Sequence, residues 1–409
     1  MSALIISALI FVVYAIASLV VPLHIKLRTK LICAVVIIAF GLKYVVYSQT
    51  GGILEPKLAP TPIVILEATY SALMLAVFFA IIKDLLLLVR TIFRLLVRVP
   101  KEKRHPWPLR RIHTLIAVVA VSCGVVGTVY QFKIPDVVEH EVAITDLAPE
   151  MEGYKILQIT DLHIGPILKR DWLQGVVDRV NEQNPDLIVI TGDLVDGTVS
   201  SLKDEFSPLT QLKARDGVIA VTGNHEYYSG VTSWVDTWEQ MGVQFLMNES
   251  VVISRATAQS ENAARAALLV SGVPDPRGSA FGSDAPNVKT AMSRITARSF
   301  VPEGASSMVV PTAADAAQAS ARLLLAHEPI VIEQQPDVDL VLTGHTHGGT
   351  MFFLQPLIAH FNAGYVTGMY EVTPRTHLYV SNGTGIWSGF SCRVLVPSEI
   401  TAFVLTARK

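Results

Sequence analysis

The feature that most constrains this chain is the uneven distribution of its apolar residues. Hydrophobic residues make up 51% of the 409 residues and charged residues only 17%, and the apolar excess lies almost entirely before residue 131. The remaining stretch has the composition of an ordinary globular protein and is long enough to bury a complete core. The sequence therefore predicts a transmembrane domain over residues 1–130, followed by a soluble domain over residues 131–409.

Four long apolar runs carry this prediction. Each is close to the roughly 20 residues that an α-helix needs to cross about 30 Å of hydrocarbon. The first run on its own could be a signal peptide, but it has no basic start and no clear small-residue cleavage site. A single run could also be a buried core helix, whereas four in series predict a four-helix transmembrane domain. The runs are Ser2–Val21, Leu31–Tyr47, Pro62–Ile82 and Ile112–Tyr130.

The charges of the connections between the runs predict the orientation. The first and third connections are rich in Lys and Arg, whereas the second, over residues 48–61, carries one Lys and one Glu. Because basic loops stay in the cytoplasm, we expect both termini and the soluble domain on the extracytoplasmic face of a bacterial inner membrane. Within residues 85–99, Arg90, Arg94 and Arg98 form one helical stripe. This stripe fits either an amphipathic interfacial helix or a long third span that protrudes from the membrane.

Two charged residues, Lys43 and Glu67, interrupt the second and third runs. Each lies about five residues inside the outer end of its run, so that their depths match. A charge at this depth is costly when it has no partner. We therefore predict that the two side chains pair with each other; the alternative is that each extends separately to the membrane surface.

The soluble domain alternates strand-like and helical segments from about residue 141 onward, which predicts an α/β domain with two packed mixed sheets flanked by helices. Residues 243–248 and 251–254 are predicted to pair as a hairpin. Residues 279–321 are rich in Ala, Ser, Gly and Pro and predict a helix over 288–297 and an exposed loop over 301–314. Cys392 is the single cysteine of this domain, which excludes a disulfide and a thiolate metal site there.

Five short polar clusters each follow a predicted strand directly. Ligands of open α/β sheets gather at the carboxyl ends of strands, so clusters at five strand ends can converge on one point. Adjacent glycines would let the backbone turn sharply there. The clusters are Asp161-Leu-His163, Gly192-Asp193-Leu-Val-Asp196-Gly197, Gly223-Asn224-His225-Glu226, His327, and Gly344-His345-Thr-His347-Gly348-Gly349.

The chemistry of these residues fits a pair of metal ions. Oxygen and imidazole ligands without thiolate suit manganese, iron or zinc. Two such ions can share a bridging carboxylate and a bridging hydroxide, and both neutralise charge on a phosphoryl oxygen. A net charge of −2 gives no reason to expect nucleic acid as a partner.

The ordered set D-x-H, G-D-x-x-D-G, G-N-H-E, a single His and G-H-T-H resembles the signature of the calcineurin-like metallophosphoesterase family, over about residues 141–409. The stretches Ser271-Gly-Val and Ser381-Asn-Gly-Thr-Gly resemble its membrane-bound or exported branch, which is related to bacterial lipid-precursor phosphodiesterases. Thr350 departs from that branch, which often has Gln after the paired glycines. Since Thr350 flanks the ligands, we expect the difference to affect substrate preference more than metal binding.

The resemblance implies a role for each matching residue. Asp196 would orient His225, although a carboxylate that only stabilises an Asp-Gly turn is the alternative. His225 would not be a ligand; it would stabilise phosphoryl charge and protonate the leaving oxygen. The implied metal ligands are Asp161, His163 and His347 for one ion, Asn224, His327 and His345 for the other, and Asp193 as the bridge between them.

The expected function is metal-dependent hydrolysis of phosphate mono- or diesters by a membrane-anchored enzyme with two divalent ions. The membrane anchor favours a lipid-linked or envelope substrate beside the bilayer. This inference rests on the association of the domain with the membrane and not on the residues of the site. The alternative is a non-catalytic, metal-stabilised scaffold or sensor. That alternative predicts the loss of a ligand or of the catalytic histidine, whereas every expected position is filled.

Overall fold

The computed structural model describes residues 2–98, 100, 105–255, 266–296 and 313–408. The chain divides into two compact units. The first contains Met1–Gln131 together with the short segment Ser388–Val394, and the second contains Phe132–Trp387 and Leu395–Lys409. A stretch from near the C-terminus therefore packs with the N-terminal helices.

The first unit is helical. Among the described residues, three helices are long and apolar enough to cross a membrane. A fourth crossing results if α2 (Leu27–Phe40) and α3 (Lys43–Gln49), which meet at 49°, count as one span. The helices are α1 (Ser2–Ala15, continued by a π-helical turn at Ile16–Val20), α2 (Leu27–Phe40), α3 (Lys43–Gln49), α4 (Pro60–Leu96) and α5 (Leu109–Val129).

Helix α4 distinguishes between the two arrangements predicted for residues 85–99, an amphipathic interfacial helix and a long third span. It continues without interruption to Leu96, 37 residues from its start. At about 1.5 Å per residue, such a helix is much longer than the roughly 30 Å hydrocarbon core. Residues 85–96 therefore continue one long helix, which favours the long third span over a separate interfacial helix. Beyond the apolar part, Arg94 donates a hydrogen bond to the carbonyl oxygen of His105.

Lys43 and Glu67 form the predicted pair. Their Nζ and Oε2 atoms are 2.7 Å apart, and both side chains are fully buried. Tyr47 donates to the other carboxylate oxygen of Glu67 at 2.7 Å. Ser388–Val394, the inserted segment, completes the network. Lys43 donates to the carbonyl oxygen of Gly389, and Ser391 donates its backbone N–H to Glu67. Each charge thus has partners on more than one element, as a buried charge requires.

The second unit contains two six-stranded mixed sheets, as the sequence predicts. The first sheet has the order β1-β12-β2-β3-β4-β5, in which β2, β3, β4 and β5 run parallel and β12 is antiparallel to β2. Its strands are β1 (Asp136–Ile144), β2 (Lys155–Ile159), β3 (Leu187–Thr191), β4 (Val218–Val221), β5 (Val243–Phe245) and β12 (Glu399–Ala407).

The second sheet has the order β10-β11-β9-β8-β7-β6, with β7, β8, β9 and β11 parallel to their neighbours in that series. Its strands are β6 (Glu249–Ser254), β7 (Ala267–Gly272), β8 (Ala321–Leu325), β9 (Leu340–Thr343), β10 (Gly368–Glu371) and β11 (His377–Val380). The helices of this unit are α6 (Arg170–Asn181), α7 (Val199–Leu202), α8 (Asn224–Ser229), α9 (Val231–Gln240), α10 (Val288–Ser293), α11 (Ala313–Gln318) and α12 (Gln355–Phe361).

The predicted hairpin over 243–254 is wrong. Strand β5 pairs with β4 in the first sheet, whereas β6 pairs antiparallel with β7 in the second. The chain crosses from one sheet to the other at this point because both strands are buried and face a common core. Apolar side chains of the two sheets pack against each other there, among them Val189, Ile219, Val251 and Val270.

Two sequence expectations in the Ala-rich region have different outcomes. The helix predicted over 288–297 is present as the shorter α10. The loop predicted over 301–314 lies outside the described residues, apart from the start of α11.

Candidate metal centre

The five polar clusters stand at the ends of five strands, as predicted. Three of them follow the adjacent parallel strands β2, β3 and β4 of the first sheet, and two follow the adjacent parallel strands β8 and β9 of the second, so that their side chains share one edge of the double-layered core. The cluster at residues 161–163 follows β2, that at 192–197 follows β3, that at 223–226 follows β4, His327 follows β8, and the cluster at 344–349 follows β9.

The backbone at this edge adopts an uncommon conformation. Five of the seven predicted metal ligands have positive φ, between 47° and 67°, although none is a glycine. A non-glycine residue in the left-handed region costs of order 1–3 kcal/mol and persists where the surrounding structure holds it. Such concentrated strain is typical of functional sites. The residues are Asp161, His163, Asp193, His345 and His347.

One group of donor atoms comprises Asp161, His163 and His347. Their donor atoms all lie within 4.8 Å of one another. The Nε2 atoms of His163 and His347 are 3.2 Å apart, and the Nε2 of His347 is 3.5 Å from Oδ1 of Asp161. Two imidazole nitrogens and a carboxylate oxygen at this spacing fit a divalent cation between them.

A second group comprises Asp193, His327 and His345, again with donor atoms within 4.8 Å of one another. His327 Nε2 lies 3.2 Å from Oδ2 of Asp193 and 3.2 Å from Nδ1 of His345. The amide oxygen of Asn224 is 3.1 Å from the same His345 nitrogen. Asn224 therefore supplies a fourth donor, at the N-terminal end of α8.

The two groups meet at Asp193. Its Oδ2 atom is 3.2 Å from Nε2 of His327 in one group and 3.7 Å from Nε2 of His163 in the other. Its Oδ1 accepts the backbone N–H of His225 at 2.8 Å. One carboxylate oxygen thus faces both sets of donors, while the other anchors the loop that carries His225.

A hydrogen bond on the outer ring nitrogen orients His327, and the surroundings of His345 keep it neutral. His327 Nδ1 lies 2.7 Å from the carbonyl oxygen of Thr191, which can only accept, so that this nitrogen carries the proton and Nε2 faces the site. Burial and the neighbouring His327 lower the pKa of His345 to about 3. His345 is therefore a neutral imidazole, the form that binds metals.

Asp196 contacts two histidines rather than one. Its Oδ1 atom is 2.5 Å from Nδ1 of His225 and 3.0 Å from Nδ1 of His163. Burial alone would raise the pKa of Asp196, but the charges of His163 and His225 hold it at about 2. Asp196 is therefore a carboxylate that accepts hydrogen bonds from a predicted ligand as well as from the predicted acid.

The electrostatic surroundings of His225 favour its protonated form. Burial alone would lower its pKa, but the carboxylates of Asp193 and Asp196 raise it to about 9. Its outer nitrogen bonds to Asp196, while Nε2 lies 3.9 Å from Oδ2 of Asp193, beside the shared donor groups. This side chain can hold a proton next to the site at neutral pH.

Glu226 is a site residue that sequence reasoning did not assign a role. It is fully buried, and its two carboxylate oxygens accept the backbone N–H groups of Asp193, Leu194 and Gly223. Burial and the nearby Asp193 raise its pKa to about 7. Glu226 therefore joins the loop after β3 to the loop after β4. Its position at N3 of α8, three residues after the N-cap Gly223, was the available sequence signal.

Two aromatic residues flank His225 and were also missed. The rings of Tyr228 and Trp387 each stand edge-on to the His225 ring, at 5.5 Å between centroids. Tyr228 also contacts the ring of Phe281. These residues form an aromatic wall beside the predicted acid. Trp387 lies two residues after the Ser381-Asn-Gly-Thr-Gly stretch, but its contact with His225 is visible only in the fold.

Thr350 follows the paired glycines directly. Thr350 is buried and has φ of 56°, directly after Gly348 and Gly349, which also have positive φ. Its backbone N–H donates to the carbonyl oxygen of His347 at 3.0 Å. Thr350 thus closes the turn that carries His347.

Comparison with known proteins agrees with this geometry. Residues 154–349 match the family model of the calcineurin-like phosphoesterases, and this range contains all seven predicted ligands and both predicted catalytic residues. The transmembrane protein with metallophosphoesterase domain of Danio rerio is 32% identical over 298 residues, which are 71% of this chain and 62% of that protein. Its Bos taurus counterpart is 34% identical over the same number of residues. The chain thus spans less than two thirds of the length of these relatives.

A bacterial relative is covered more completely. An uncharacterized metallophosphoesterase of Campylobacter jejuni is 30% identical over 313 residues, which are 76% of this chain and 74% of that protein. Among solved structures, the NAD nucleotidase of Haemophilus influenzae shares 15% identity and a TM-score of 0.34, over 57% of this chain and 50% of its own. That likeness is too weak to support an argument. The family model and the Campylobacter relative together show that the chain belongs to the calcineurin-like phosphoesterase family.

Proposed function

We propose that this chain is a membrane-anchored phosphoesterase that hydrolyses phosphate mono- or diesters with two divalent metal ions. The observation that carries the proposal is the position of the Asp193 carboxylate, with one oxygen facing two separate groups of donors. In this proposal residues 1–130 form the membrane domain and residues 131–409 the catalytic domain. Manganese, iron and zinc all suit the donor set.

The donor groups assign the ligands of each ion. Asp161, His163 and His347 would hold one ion, and Asn224, His327 and His345 the other, with Asp193 between them. When bound, such ions lower the pKa of a water molecule and neutralise charge on a phosphoryl oxygen. The fit rests on the donors: oxygen and imidazole atoms converge, and the outer nitrogens of His163 and His327 are already bonded elsewhere.

His225 would act as the general acid. Its Nε2 atom faces the shared donor groups, and its raised pKa, about 9, keeps a proton available at neutral pH. Asp196 would keep the ring oriented and stabilise the imidazolium through its 2.5 Å contact with Nδ1. Donation of this proton to the leaving oxygen would lower the barrier most for substrates with poor leaving groups.

The membrane helices support a substrate that is lipid-linked or part of the cell envelope, because they would hold the site near the bilayer. The charges of the connections support a location on the extracytoplasmic face of a bacterial inner membrane. Lipid phosphates in the activity panel test the substrate, and labelling of single cysteines in intact cells tests the location.

The decisive experiment combines metal analysis with an activity panel. The protein is purified in detergent, its metal content is measured by mass spectrometry, and it is assayed on aryl phosphate mono- and diesters, lipid phosphates and diphosphates. We expect about two divalent ions per chain and hydrolysis of at least one class. Asp193→Asn should lose both ions and activity together. Asp236→Asn is the matched control, because Asp236 is exposed on α9.

A metal-free protein, or an Asp193→Asn variant with unchanged activity, would contradict the proposed centre. A protein that holds both ions and hydrolyses no ester of the panel would favour the scaffold or sensor alternative.

A further inference from the structure

The segment that follows the last metal-ligand motif is unusually apolar for a surface segment. From Thr350 to Tyr370 the chain has no Asp, Glu, Lys or Arg, and its one titratable group other than tyrosine is His360. Surface segments of water-exposed domains normally alternate charged and apolar residues. A segment of this length without charge needs a physical explanation.

Within this segment, Phe352–Phe361 forms a continuous helical stretch, a 3-10 turn at Phe352–Leu354 followed by α12. Its large apolar side chains are exposed: Phe352 is 39%, Leu357 53% and Phe361 69% accessible. Pro356 and His360 are also exposed. Pro356, Leu357, His360 and Phe361 recur at intervals of three and four residues, so they lie on one face of α12, and Phe352 lies in the turn that precedes it. Apart from His360, this face is apolar, and its large side chains are accessible to solvent.

The helical stretch is attached to the candidate metal centre. Gln355, at the start of α12, donates from its side-chain nitrogen to the carbonyl oxygen of Gly348 at 3.1 Å. Gly349 has φ of 79°, and a Cβ there would lie 3.0 Å from the Cα of Gln355, so the turn and the helix are in close contact. The exposed apolar face therefore begins within a few residues of the predicted ligand His347.

Covalent connections keep this unit close to a bilayer. The helix α5, which is long and apolar enough to cross a membrane, ends at Val129, and the second unit begins at Phe132. The chain also returns from the second unit to the first between Trp387 and Leu395. The second unit is thus tied at several points of its chain to helices that need a lipid environment, and a lipid surface is always within its reach.

We propose that the exposed face of Phe352–Phe361 lies in the headgroup region of the bilayer and places the mouth of the metal centre at the membrane surface. An interfacial helix buries apolar side chains by about 5–10 Å and needs no spanning length. Aromatic residues are favoured at this depth, and Phe352, Phe353 and Phe361, with Tyr365 beyond them, supply such residues. The absence of charged side chains removes the desolvation cost that a normal surface helix would meet.

Site-directed spin labelling tests this proposal without any assumption about activity. Cys33 and Cys123 are replaced by Ala and the buried Cys392 is kept. Phe361→Cys and Leu357→Cys each receive a nitroxide label, and the full chain is reconstituted in vesicles of phosphatidylcholine and phosphatidylglycerol. Gln240→Cys, an exposed helical position on α9 of the same unit, is the matched control. The background protein without an introduced cysteine measures any labelling of Cys392.

Collisional relaxation by oxygen, which concentrates in lipid, is compared with relaxation by a water-soluble nickel chelate. We expect the labels at positions 357 and 361 to be relaxed several-fold more by oxygen than by the chelate, and the label at 240 to show the reverse. Labels at 357 and 361 that match the control in both reagents would overturn the proposal. Dipolar broadening between labels at position 361 would overturn it as well, because it would show that a second copy covers this face.

Discussion

At the residue scale, the histidines of the site differ in what their outer ring nitrogen contacts. In His327 this nitrogen bonds to a carbonyl oxygen of β3, whereas in His163 and His225 it bonds to one carboxylate oxygen of Asp196. A carboxylate partner raises the basicity of an imidazole more than a carbonyl does. Asp196 can therefore influence a predicted ligand and the predicted acid at the same time.

Replacing His225 separates catalysis from metal binding. We expect His225→Ala to keep both ions, because its ring is not part of the proposed ligand set. Hydrolysis of an ester with a poor leaving group should fall by about 10²–10⁴-fold. Turnover of an aryl ester with a good leaving group should fall much less, since its leaving oxygen needs little protonation. Steady-state kinetics on the two esters, with metal content measured in parallel, provides the check.

If this variant hydrolyses the ester with the poor leaving group at the normal rate, His225 is not the general acid. Loss of metal together with activity would instead place His225 among the ligands. Its Nε2 atom lies 3.9 Å from Oδ2 of Asp193, which is close enough for both atoms to contact one ion.

Replacing Asp196 should affect two properties together. In Asp196→Asn the charge that favours the imidazolium of His225 is lost, and the hydrogen bond that orients His163 is weakened. We expect a lower kcat and, in addition, a metal affinity reduced by about 10–100-fold, as for other residues that support ligands. Titration of the metal-free protein with manganese measures the second effect. Asp204→Asn, at an exposed position, is the control.

An Asp196→Asn variant with reduced kcat and unchanged affinity would show that the carboxylate serves His225 alone. A variant unchanged in both would support the alternative that Asp196 only stabilises its Asp-Gly turn.

The sequence predicted the convergent residues better than their supports. Asp193 and His327 stand out because each follows an apolar strand with a glycine or a second polar residue beside it. Glu226 and Trp387 could not be recognised in this way. The role of Glu226 depends on which backbone N–H groups approach it, and that of Trp387 depends on a long-range contact with His225. These contacts are visible only in the folded chain, although Glu226 stands at N3 of α8.

At the element scale, the strands were predicted from their apolar runs, whereas the pairing of strands was not. The runs at 243–248 and 251–254 are separated by a short turn, which is typical of a hairpin. Their pairing is instead decided by burial: Val243 and Phe245 complete the first sheet, while Val251 and Ile253 face the core from the second. Strand β1 was missed because its exposed and buried residues do not alternate regularly.

The inserted segment Ser388–Val394 shows how one element can depend on a charge pair. Lys43 and Glu67 bond to each other and to the backbone of this segment, at Gly389 and Ser391. Lys43→Met would leave the carboxylate of Glu67 buried without its cation. We expect a destabilisation of about 3–5 kcal/mol, the usual cost of breaking a buried pair from one side. Thermal unfolding in detergent, followed by intrinsic fluorescence, measures it.

The double variant Lys43→Met, Glu67→Gln is the matched control. In this variant neither position 43 nor position 67 carries a charge. The glutamine oxygen can still accept the N–H of Ser391, so part of the stability should return. A single Lys43→Met variant as stable as the original protein would show that the pair contributes nothing to holding this segment.

At the scale of the whole molecule, the number of membrane crossings decides where the catalytic domain stands. Three helices qualify individually, and the bent pair α2 and α3 would be the fourth crossing. Three crossings would put the two termini on opposite faces of the membrane, whereas four would put them on the same face. The contacts within the first unit distinguish these cases.

Those contacts support the prediction that α2 and α3 cross the membrane together. Near the start of α2, Lys30 donates to the carbonyl oxygen of Val21, at the end of the first span. At that same end, Ser18 donates to Asp84 of α4. At the start of α3, Lys43 bonds instead to Glu67, 17 residues earlier on α4, which is about 25 Å along that helix. The bent pair therefore covers nearly the depth of a hydrocarbon core.

We accordingly expect four crossings, with both termini and the catalytic domain on the same face. Single cysteines in the background without Cys33 and Cys123 test this in intact cells with a reagent that does not cross membranes. Ser2→Cys and Gln240→Cys should both be labelled from outside, whereas Arg28→Cys, in the first basic connection, should be labelled only after the cells are opened. Labelling at 240 without labelling at 2 would mean that α2 and α3 form a re-entrant loop. Labelling at 28 alone would place the catalytic domain in the cytoplasm, because basic connections would then face outward against the usual charge rule.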